Sequence, residues 1–381
     1  MQISAKTRLG KILCCSQRVW CFPPLPLIPL QNLVRNIVTA ILYLTFGLPL
    51  MAQLGGNGVY RVLLQPVGAR QAAWGGYSNA YRDKDVTLFA HNPALLNNQM
   101  NMRGALTFNT HLKGVWTGNA TFAKNIKQGT GGLQISFIDY GLMDAYDDGG
   151  NPEGKIPANE TSVTAGFAKE IKPGLYAGTN VKFVYSILGP YISTGAALDA
   201  GVVWNSRDSL FSAAAVIRNV GIQLLAYSPG MREPLPFSAE MGINFKPRYM
   251  PFRFNVTAHN LQKPDMTYTQ FLRTDAIDLT GQPAASKSAP LGDKVLRHFT
   301  FGTELLLGKN FGILLGYNHQ RRKEMAPDVR PGVAGYSWGL HFRISRIQIT
   351  YASMAYFPGF NANLFTFSAS PSDFQIKKQT R

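Results

Sequence analysis

The sequence predicts an all-β fold: a transmembrane antiparallel β-barrel of about 14 strands, preceded by an N-terminal plug-like segment. Two observations carry this prediction, a period of two in side-chain character and an alternation of short and long connections. The period is clearest in Pro251–Leu261, where Phe252, Phe254 and Val256 alternate with Arg253, Asn255 and Thr257. Successive strand side chains leave opposite faces, so one face is apolar and the other polar. In an outer-membrane barrel the apolar face meets lipid and the polar face lines the lumen.

Composition also favours strands over helices. Of the 381 residues, 45% are hydrophobic, 12% are aromatic and only 15% are charged. An average globular protein has about a quarter of its residues charged. Apart from a run near Ile37–Leu50, no window resembles a membrane-spanning helix. We therefore do not expect a helical membrane protein.

The net charge of +17 favours anionic partners. No basic run is interleaved with stacking aromatic residues, so we expect no nucleic-acid binding. Two interpretations remain: a generally basic solvated surface, or attraction to the phosphates of outer-membrane lipid and lipopolysaccharide.

Residues 1–52 are interpreted as a signal peptide with an N-terminal extension. Arg35 precedes an apolar run that closes at Met51-Ala52, which predicts cleavage after Ala52 and a mature start at Gln53. The alternative is a buried or membrane-anchoring helix. All three cysteines precede residue 52, so the mature chain would hold no disulfide or cysteine metal site.

Residues 53–101 differ in character from both flanking regions. Small residues around Gly75 and Gly76 permit close backbone packing, and Pro93 can open a short helix capped by Asn92. This segment is predicted to be a plug inside the barrel or a periplasmic segment, with Arg70, Asn92 and Pro93 as its structural motif. The alternative is an ordinary N-terminal strand and turn.

Residues 102–369 are predicted to form the barrel, and residues 370–381 a C-terminal periplasmic tail. The alternation of side chains and the turn-forming residues between strands place strand starts near residues 102, 114, 130, 160, 175, 194, 209, 236, 251, 297, 311, 333, 346 and 362.

The two faces of the strand at Phe252 predict different effects of a charge. Phe254→Arg would face lipid and lower the stability of the barrel by about 2–4 kcal/mol, whereas Asn255→Arg on the lumen side would have little effect.

The connections alternate in length. Those from even to odd strands are short, for example Ile171–Gly174 and Gly308–Asn310. Those from odd to even strands are predicted to be mostly long: Gly141–Asn159, Leu188–Ser193, Val220–Leu235, Gln262–Leu296 and Arg321–Gly332. Outer-membrane barrels have short periplasmic turns and long external loops, so the sequence predicts an integral protein of the bacterial outer membrane with periplasmic termini.

The sequence nominates no catalytic or metal site and no cofactor. The histidines at 91, 111, 259, 298, 319 and 341 show no zinc-binding spacing. Asp144, Asp147, Asp148 and Glu153 cluster in one connection but lack the order of a calcium loop. We interpret them as a solvated acidic loop and expect a protein that is not an enzyme.

Several short motifs together resemble one known family. They are Gly58-Val59-Tyr60-Arg61, Pro66-Val67, Ala69-Arg70, Gly75-Gly76, Asn92-Pro93-Ala94-Leu95-Leu96, Arg232-Glu233-Pro234-Leu235-Pro236-Phe237, and the stretch from Phe252 to Leu261. In their order and spacing they resemble the PorQ family of outer-membrane components of the type IX secretion system of Bacteroidetes. The resemblance covers most of residues 55–369; residues 1–34 depart from it.

The resemblance implies a fourteen-strand barrel related to FadL and PorV, in an attachment complex on the cell surface. In that complex PorV carries cargo, and PorU is a sortase that joins cargo to anionic lipopolysaccharide. PorQ holds PorZ, which binds the lipopolysaccharide. The expected partners are therefore a PorZ-like surface protein and PorU- and PorV-like proteins.

Two other functions stay open. One is a FadL-like channel for small hydrophobic molecules, with residues 53–101 as its hatch. The other is a lipid-modifying outer-membrane enzyme. For the anchoring function, the long loops nominate Arg232, Glu233, Arg321, Arg322 and Lys323 as partner-binding residues, because loops on a rigid scaffold commonly carry function.

Overall fold

The computed structural model describes residues 58–110, 114–147, 149–267, 290–308, 310–325, 332–344, 346–357 and 359–371. The predicted signal peptide, the predicted mature start at Gln53 and most of the predicted C-terminal tail lie outside these residues. Among the described residues, no helix has both the length and the apolar character needed to cross a membrane.

Fourteen antiparallel strands close into a barrel, as the sequence predicts. They are β1 (Arg103–Thr110), β2 (Trp116–Ile126), β3 (Gly129–Tyr146), β4 (Pro152–Lys172), β5 (Leu175–Leu188), β6 (Tyr191–Asn205), β7 (Phe211–Leu225), β8 (Ser238–Phe245), β9 (Phe252–Ala258), β10 (Phe299–Leu307), β11 (Phe311–Asn318), β12 (Tyr336–Ile344), β13 (Ile347–Phe357) and β14 (Phe360–Ala369). Each strand pairs with its sequence neighbours, and β1 pairs with β14 from Gly104↔Ala369 to Thr110↔Asn363. Where each strand is paired on both sides, closure leaves no edge strand.

The two faces of each strand separate as the period of two predicts. On β9, Phe254 is 40% exposed whereas Asn255 and Thr257 are almost fully buried. The same contrast recurs around the barrel. Large apolar side chains point outward and are about half exposed, among them Leu106, Phe108, Leu133, Ile135, Val181, Leu198, Met241, Leu315, Trp338 and Phe367. An apolar exterior around a polar interior in a closed, even-stranded barrel belongs to a bacterial outer membrane. The chain is therefore an integral outer-membrane barrel.

Two connections predicted to be long are not loops. The predicted loop Leu188–Ser193 is a two-residue turn at Gly189-Pro190, because β5 and β6 pair as far as Leu188↔Tyr191. The predicted loop Gly141–Asn159 is mostly a hairpin: β3 and β4 continue to pair as far as Tyr146↔Pro152. The prediction was wrong there because glycine and proline residues were interpreted as the ends of strands. In the hairpin, a register shift beyond Asp139 accommodates Gly141, and Pro157 directs its carbonyl toward the β5–β6 turn.

Residues 58–101 contain only short helices, at Arg61–Leu64, Ala69–Ala73, Val86–Ala90, Pro93–Leu95 and Asn98–Met100. The predicted cap at Pro93 is confirmed, since the Asn92 Oδ1 accepts a hydrogen bond from the Ala94 N–H at 3.0 Å. Trp74, Leu88, Phe89 and most other residues of the segment are buried. Helices this short are marginal in isolation, so their stability comes from packing against the inner wall.

Candidate functional site

The barrel interior holds a set of buried ion pairs between residues 58–101 and the inner faces of the strands. The guanidinium of Arg70 donates to the Glu304 carboxylate of β10 at 2.6 Å, and Arg253 of β9 binds the other oxygen of Glu304. Arg70 and Glu304 are 4% and 1% exposed. The Tyr81 ring lies beneath both guanidinium groups, 5.2 Å from Arg70 and 4.5 Å from Arg253. This cluster binds the helix Ala69–Ala73 to the β9–β10 wall.

A second cluster is centred on Glu240 of β8. Its carboxylate lies 2.8 Å from His91 Nε2 and 3.1 Å from Arg218 Nη1 of β7. The imidazole of His91 also lies 2.9 Å from the side-chain amide of Gln71. Arg218 donates through Nη2 to the backbone carbonyl of Leu63 at 3.3 Å. The cluster therefore connects three positions of the N-terminal segment to β7 and β8.

A third cluster lies on β5, β6 and β7. Lys182 Nζ is 2.6 Å from the Asp199 carboxylate and 2.9 Å from the Asn219 side-chain oxygen. Asn180 donates to the Phe89 carbonyl at 3.1 Å and to Asp199 at the same distance. Each charged side chain in this cluster is paired and hydrogen-bonded. These side chains can therefore be buried without contact with water in an open lumen.

Glycines on the inner wall allow the segment to approach the strands closely. A Cβ atom at Gly302 would lie 2.7 Å from the Trp74 ring, and one at Gly178 would lie 2.7 Å from the Pro93 backbone. A Cβ at Gly201 would lie 2.1 Å from Asn92 Oδ1. The motif residues Arg70, Asn92 and Pro93 thus all contact the inner wall.

The long connections at the loop end of the barrel are joined by Asp293. Its carboxylate accepts hydrogen bonds from Arg297 and from His319 at 2.9 Å, and Lys323 Nζ lies 3.4 Å away. Burial raises the pKa of Asp293, but the hydrogen bonds from His319 and Arg297 outweigh it, and the pKa is lowered overall. Asp293 and Arg297 belong to the β9–β10 connection, and His319 and Lys323 to the β11–β12 connection. The ionised carboxylate therefore fixes one loop against the other.

The five predicted partner-binding residues lie on two separate loops. Arg232 is exposed, and Glu233 donates its backbone N–H to Gln223 at 2.9 Å. Arg321, Arg322 and Lys323 belong to the helix His319–Met325. The guanidinium of Arg321 lies 4.8 Å from the centre of the Tyr356 ring, and Arg322 donates to the Gly332 carbonyl at 2.6 Å. Lys323 is 48% exposed.

The basic cluster of the β11–β12 connection is therefore not a uniform patch of solvated charge. All three of its side chains contact other parts of the same chain, and Lys323, beside Asp293, is the most exposed of them. Sequence reasoning also missed Asp293, because nothing in its local sequence distinguishes it from an ordinary helix-start acid.

Sequence reasoning also did not single out the residues of the three interior clusters. The sequence could have indicated them, because the strand alternation places five charged residues on the inner face: Lys182, Asp199, Arg218, Glu240 and Glu304. Which of these charges pair could not be predicted, because pairing depends on the register and on the path of residues 58–101.

Comparisons with known proteins add little beyond this geometry. No family model matches the chain, and no curated protein matches it. Among solved structures it is similar to the toluene transporter TodX of Pseudomonas putida, at 12% identity, with 80% of this chain and 97% of that one covered and a TM-score of 0.46. It is similar to a Pseudomonas aeruginosa FadL homologue at 12% identity, with coverage of 80% and 97% and a TM-score of 0.43. The fold assignment therefore rests on the strand pairing of this chain itself.

Within the described residues, no group of three or more histidine, cysteine, aspartate or glutamate side chains is arranged to hold a metal ion. Glu304, Arg253, Glu240 and Arg218 contact the N-terminal segment, whereas Lys182 and Asp199 pair with each other between strands. The candidate functional site therefore has two parts: a filled interior, and a set of interlocked loops at one end.

Proposed function

We propose that this chain is a non-enzymatic outer-membrane anchor, whose barrel holds a surface partner through its long loops. One observation carries the proposal: residues 58–101 are held inside the barrel by the ion pairs Arg70–Glu304 and His91–Glu240 and by the hydrogen bond from Asn180 to the Phe89 carbonyl. A passage for solutes would need that space. A rigid, filled barrel instead suits the presentation of loops at the cell surface.

The partner assignment comes from the motif resemblance described above. On that resemblance, the chain is a component of a type IX secretion attachment complex, in which it anchors a PorZ-like protein beside PorU- and PorV-like proteins. The complex would link cargo proteins to anionic lipopolysaccharide. The excess of basic residues agrees with a position close to anionic lipid.

In this proposal the partner contacts the β7–β8 connection through Arg232 and Glu233 and the β11–β12 connection through Lys323. Arg321 and Arg322 act indirectly, by fixing the helix that carries Lys323. Their contacts with Tyr356 and Gly332 give that helix a defined position. A pre-positioned loop loses less conformational entropy when it binds a partner.

The alternative function is a FadL-like channel for small hydrophobic molecules. It requires residues 58–101 to move, because their apolar and charged side chains occupy the described interior. Breaking the buried ion pairs on every transport cycle would be costly, since removing one partner of such a pair costs about 3–5 kcal/mol. The anchor requires no such movement.

The experiment compares wild type with Arg232→Glu combined with Lys323→Glu, tagged and purified from detergent-solubilised outer membrane. A matched control is Lys127→Glu, an exposed lysine in the short turn at the opposite end of the barrel. The anchor proposal expects one surface protein to co-purify with wild type and the control, and to be depleted with the double variant. Uptake of a labelled fatty acid should not depend on the protein. Absence of a stable surface partner from wild type, together with uptake that requires the protein, would establish the channel instead.

A further inference from the structure

The hairpin of β3 and β4 extends past its neighbouring strands. β2 pairs with β3 only as far as Trp116↔Asp139, and β5 pairs with β4 only from Ala158↔Leu188. Beyond these points, Leu142–Tyr146 and Pro152–Pro157 pair with each other and, among the described residues, with no further strand. We call these two segments the projecting hairpin. At about 3.3 Å per residue, the five residues Leu142–Tyr146 give the β3 edge a length of about 17 Å.

The two edges of the projecting hairpin differ in how open they are. On the β4 edge, Pro152 and Pro157 have no N–H, and the Pro157 carbonyl already accepts a hydrogen bond from the Gly189 N–H at 2.9 Å. Proline on an edge strand prevents the addition of another strand. The β3 edge contains no proline between Gly141 and Tyr146. Only the β3 edge can therefore accept a further strand along its whole length.

The position of Pro157 also fixes which backbone groups of β3 face outward. Its carbonyl points to Gly189, away from β3, so its pair with Leu142 is one in which no hydrogen bonds are exchanged. The N–H and C=O of Leu142 then also point away from β4. Hydrogen-bonded and non-hydrogen-bonded pairs alternate along the strands, so the N–H and C=O of Asp144, opposite Lys155, also point away from β4. These groups are the ladder positions that an added strand would use.

The side chains on this edge define what an added strand must carry. Leu142 and Tyr146 are 65% and 62% exposed, and Asp144 between them is also exposed. Alternation puts all three on one face. A strand paired beside them places its own side chains directly opposite, where apolar pairs and opposite charges are favourable and like charges are not. The complementary sequence is an apolar residue, a basic residue and an apolar residue at alternate positions.

Charge excludes two other occupants of the edge. A second copy of this chain, paired antiparallel about Asp144, would bring the two Asp144 carboxylates together. Lipopolysaccharide phosphates would meet the four carboxylates of residues 142–157, which contain only one basic residue, Lys155. The projecting hairpin is thus acidic on a chain whose net charge is +17, which favours a basic protein segment.

We propose that the free β3 edge from Leu142 to Tyr146 is a docking site that extends its sheet with a strand from a surface protein, and that this strand alternates apolar, basic and apolar side chains. Backbone hydrogen bonds would provide the pairing, and the alternate side chains the selectivity. This proposal rests on the anchoring function and names the edge at which the partner is held.

The first test uses proline on each edge of the same hairpin, in the full-length protein in its native outer membrane. Asp144→Pro removes an outward N–H from the β3 edge, and Lys155→Pro removes the corresponding N–H from the β4 edge. Neither N–H bonds the opposite strand, so the hairpin pairing is retained in both. We expect Asp144→Pro to reduce the co-purified surface partner about tenfold or more, which corresponds to about 1.4 kcal/mol, and Lys155→Pro to leave it unchanged. Equal partner levels in both variants would overturn the proposal.

Asp144→Lys provides a second, independent variant that leaves the backbone donor in place. We expect it to deplete the partner by charge repulsion, and Asp144→Asn to do so less. Heat-dependent migration of the barrel on gels confirms that each variant is assembled. If wild type binds its partner and both Asp144→Pro and Asp144→Lys still do, the edge proposal fails while the anchoring function stands.

Photocrosslinking identifies the occupant directly. A photoreactive residue is placed at Leu142 or, as the control, at Glu153 on the β4 segment, and crosslinked peptides are sequenced. We expect a crosslink from position 142 to an extended segment with a basic residue between two apolar ones, and none from position 153. A crosslink to a second copy of this chain, to lipopolysaccharide or to a segment without a basic residue would overturn the proposal, as would no protein crosslink at position 142.

Discussion

The guanidinium of Arg70 lies 2.6 Å from the carboxylate of Glu304, and both side chains are buried inside the barrel. One belongs to the N-terminal segment and the other to β10, separated by 234 positions. The pair shows how polar side chains on the inner face of the barrel bind residues 58–101, which fill the interior. Arg253 completes the site by pairing the second oxygen of the same carboxylate.

The first prediction concerns this carboxylate. Glu304→Gln keeps the shape of the side chain but removes the carboxylate that both buried guanidinium groups bind, which leaves Asp85, 3.4 Å from Arg70 Nε, as the remaining acidic partner of Arg70. We expect the free energy of unfolding to fall by about 3–5 kcal/mol, measured by denaturant titration of the protein refolded into lipid vesicles. The control Glu153→Gln is exposed on the projecting hairpin and should change it by less than about 0.5 kcal/mol. Similar losses in both variants would contradict the buried pair.

The second prediction concerns the close approach of Trp74 to β10. A Cβ at Gly302 would lie 2.7 Å from the indole ring, so Gly302→Ala must displace the ring or the strand. Overpacking of this kind costs about 1–3 kcal/mol, and we expect a lower unfolding free energy and altered tryptophan fluorescence. Gly292→Ala is the control, since no atom lies within 4 Å of its added Cβ. Unchanged fluorescence in Gly302→Ala would argue against this packing.

The third prediction revises an expectation from the sequence. Phe254 faces lipid, and Phe254→Arg should still cost about 2–4 kcal/mol near the bilayer middle. Asn255 was expected to tolerate arginine, but it is 1% exposed in a filled interior. We now expect Asn255→Arg to be destabilising by overpacking and Asn255→Ala to be mild. Refolding yields in vesicles measure both; a mild Asn255→Arg would indicate an open lumen.

The fourth prediction concerns pH. The pKa of Asp293 is lowered because the hydrogen bonds from His319 and Arg297 outweigh its burial. A lowered carboxyl pKa contributes stability that is present above the ordinary value, about 3.9, and is lost as the pH falls through the lowered value. Hydrogen exchange at Leu291–Leu296, corrected for intrinsic rates, should therefore be constant from pH 7 to about pH 5 and rise only below about pH 4. In Asp293→Asn it should be raised throughout; no difference between the two proteins would show that Asp293 does not hold the loops.

Much of the fold followed from local sequence because the strand period and the turn residues are local signals. The start of β5 at Leu175 and of β11 at Phe311 agree with the predicted positions. β4 was placed to start near residue 160 but begins at Pro152. Two strands can remain paired beyond the membrane, where no apolar face is needed. The alternation of apolar and polar side chains therefore did not indicate that β4 begins eight residues earlier.

The functional site was less predictable for a related reason. The Asn92-Pro93 motif could be recognised because helix capping is a local property. The pairing of Arg218 with Glu240 depends on strand register and on His91, which lies 127 positions before Arg218. Arg321 and Arg322 illustrate the same limit: their charge was evident from sequence, but their contacts with Tyr356 and Gly332 were not.

The central claim, that residues 58–101 close the barrel, is tested most directly by the electrical conductance of the wild-type protein in planar bilayers. The ion pairs of Arg70 with Glu304 and of His91 with Glu240, and the hydrogen bond from Asn180 to the Phe89 carbonyl, hold this segment against the inner wall, so the account predicts no steady conductance. Glu304→Gln combined with Glu240→Gln should release the segment and produce open-channel events. Steady porin-like conductance of the wild-type protein, unchanged in the double variant, would contradict the account.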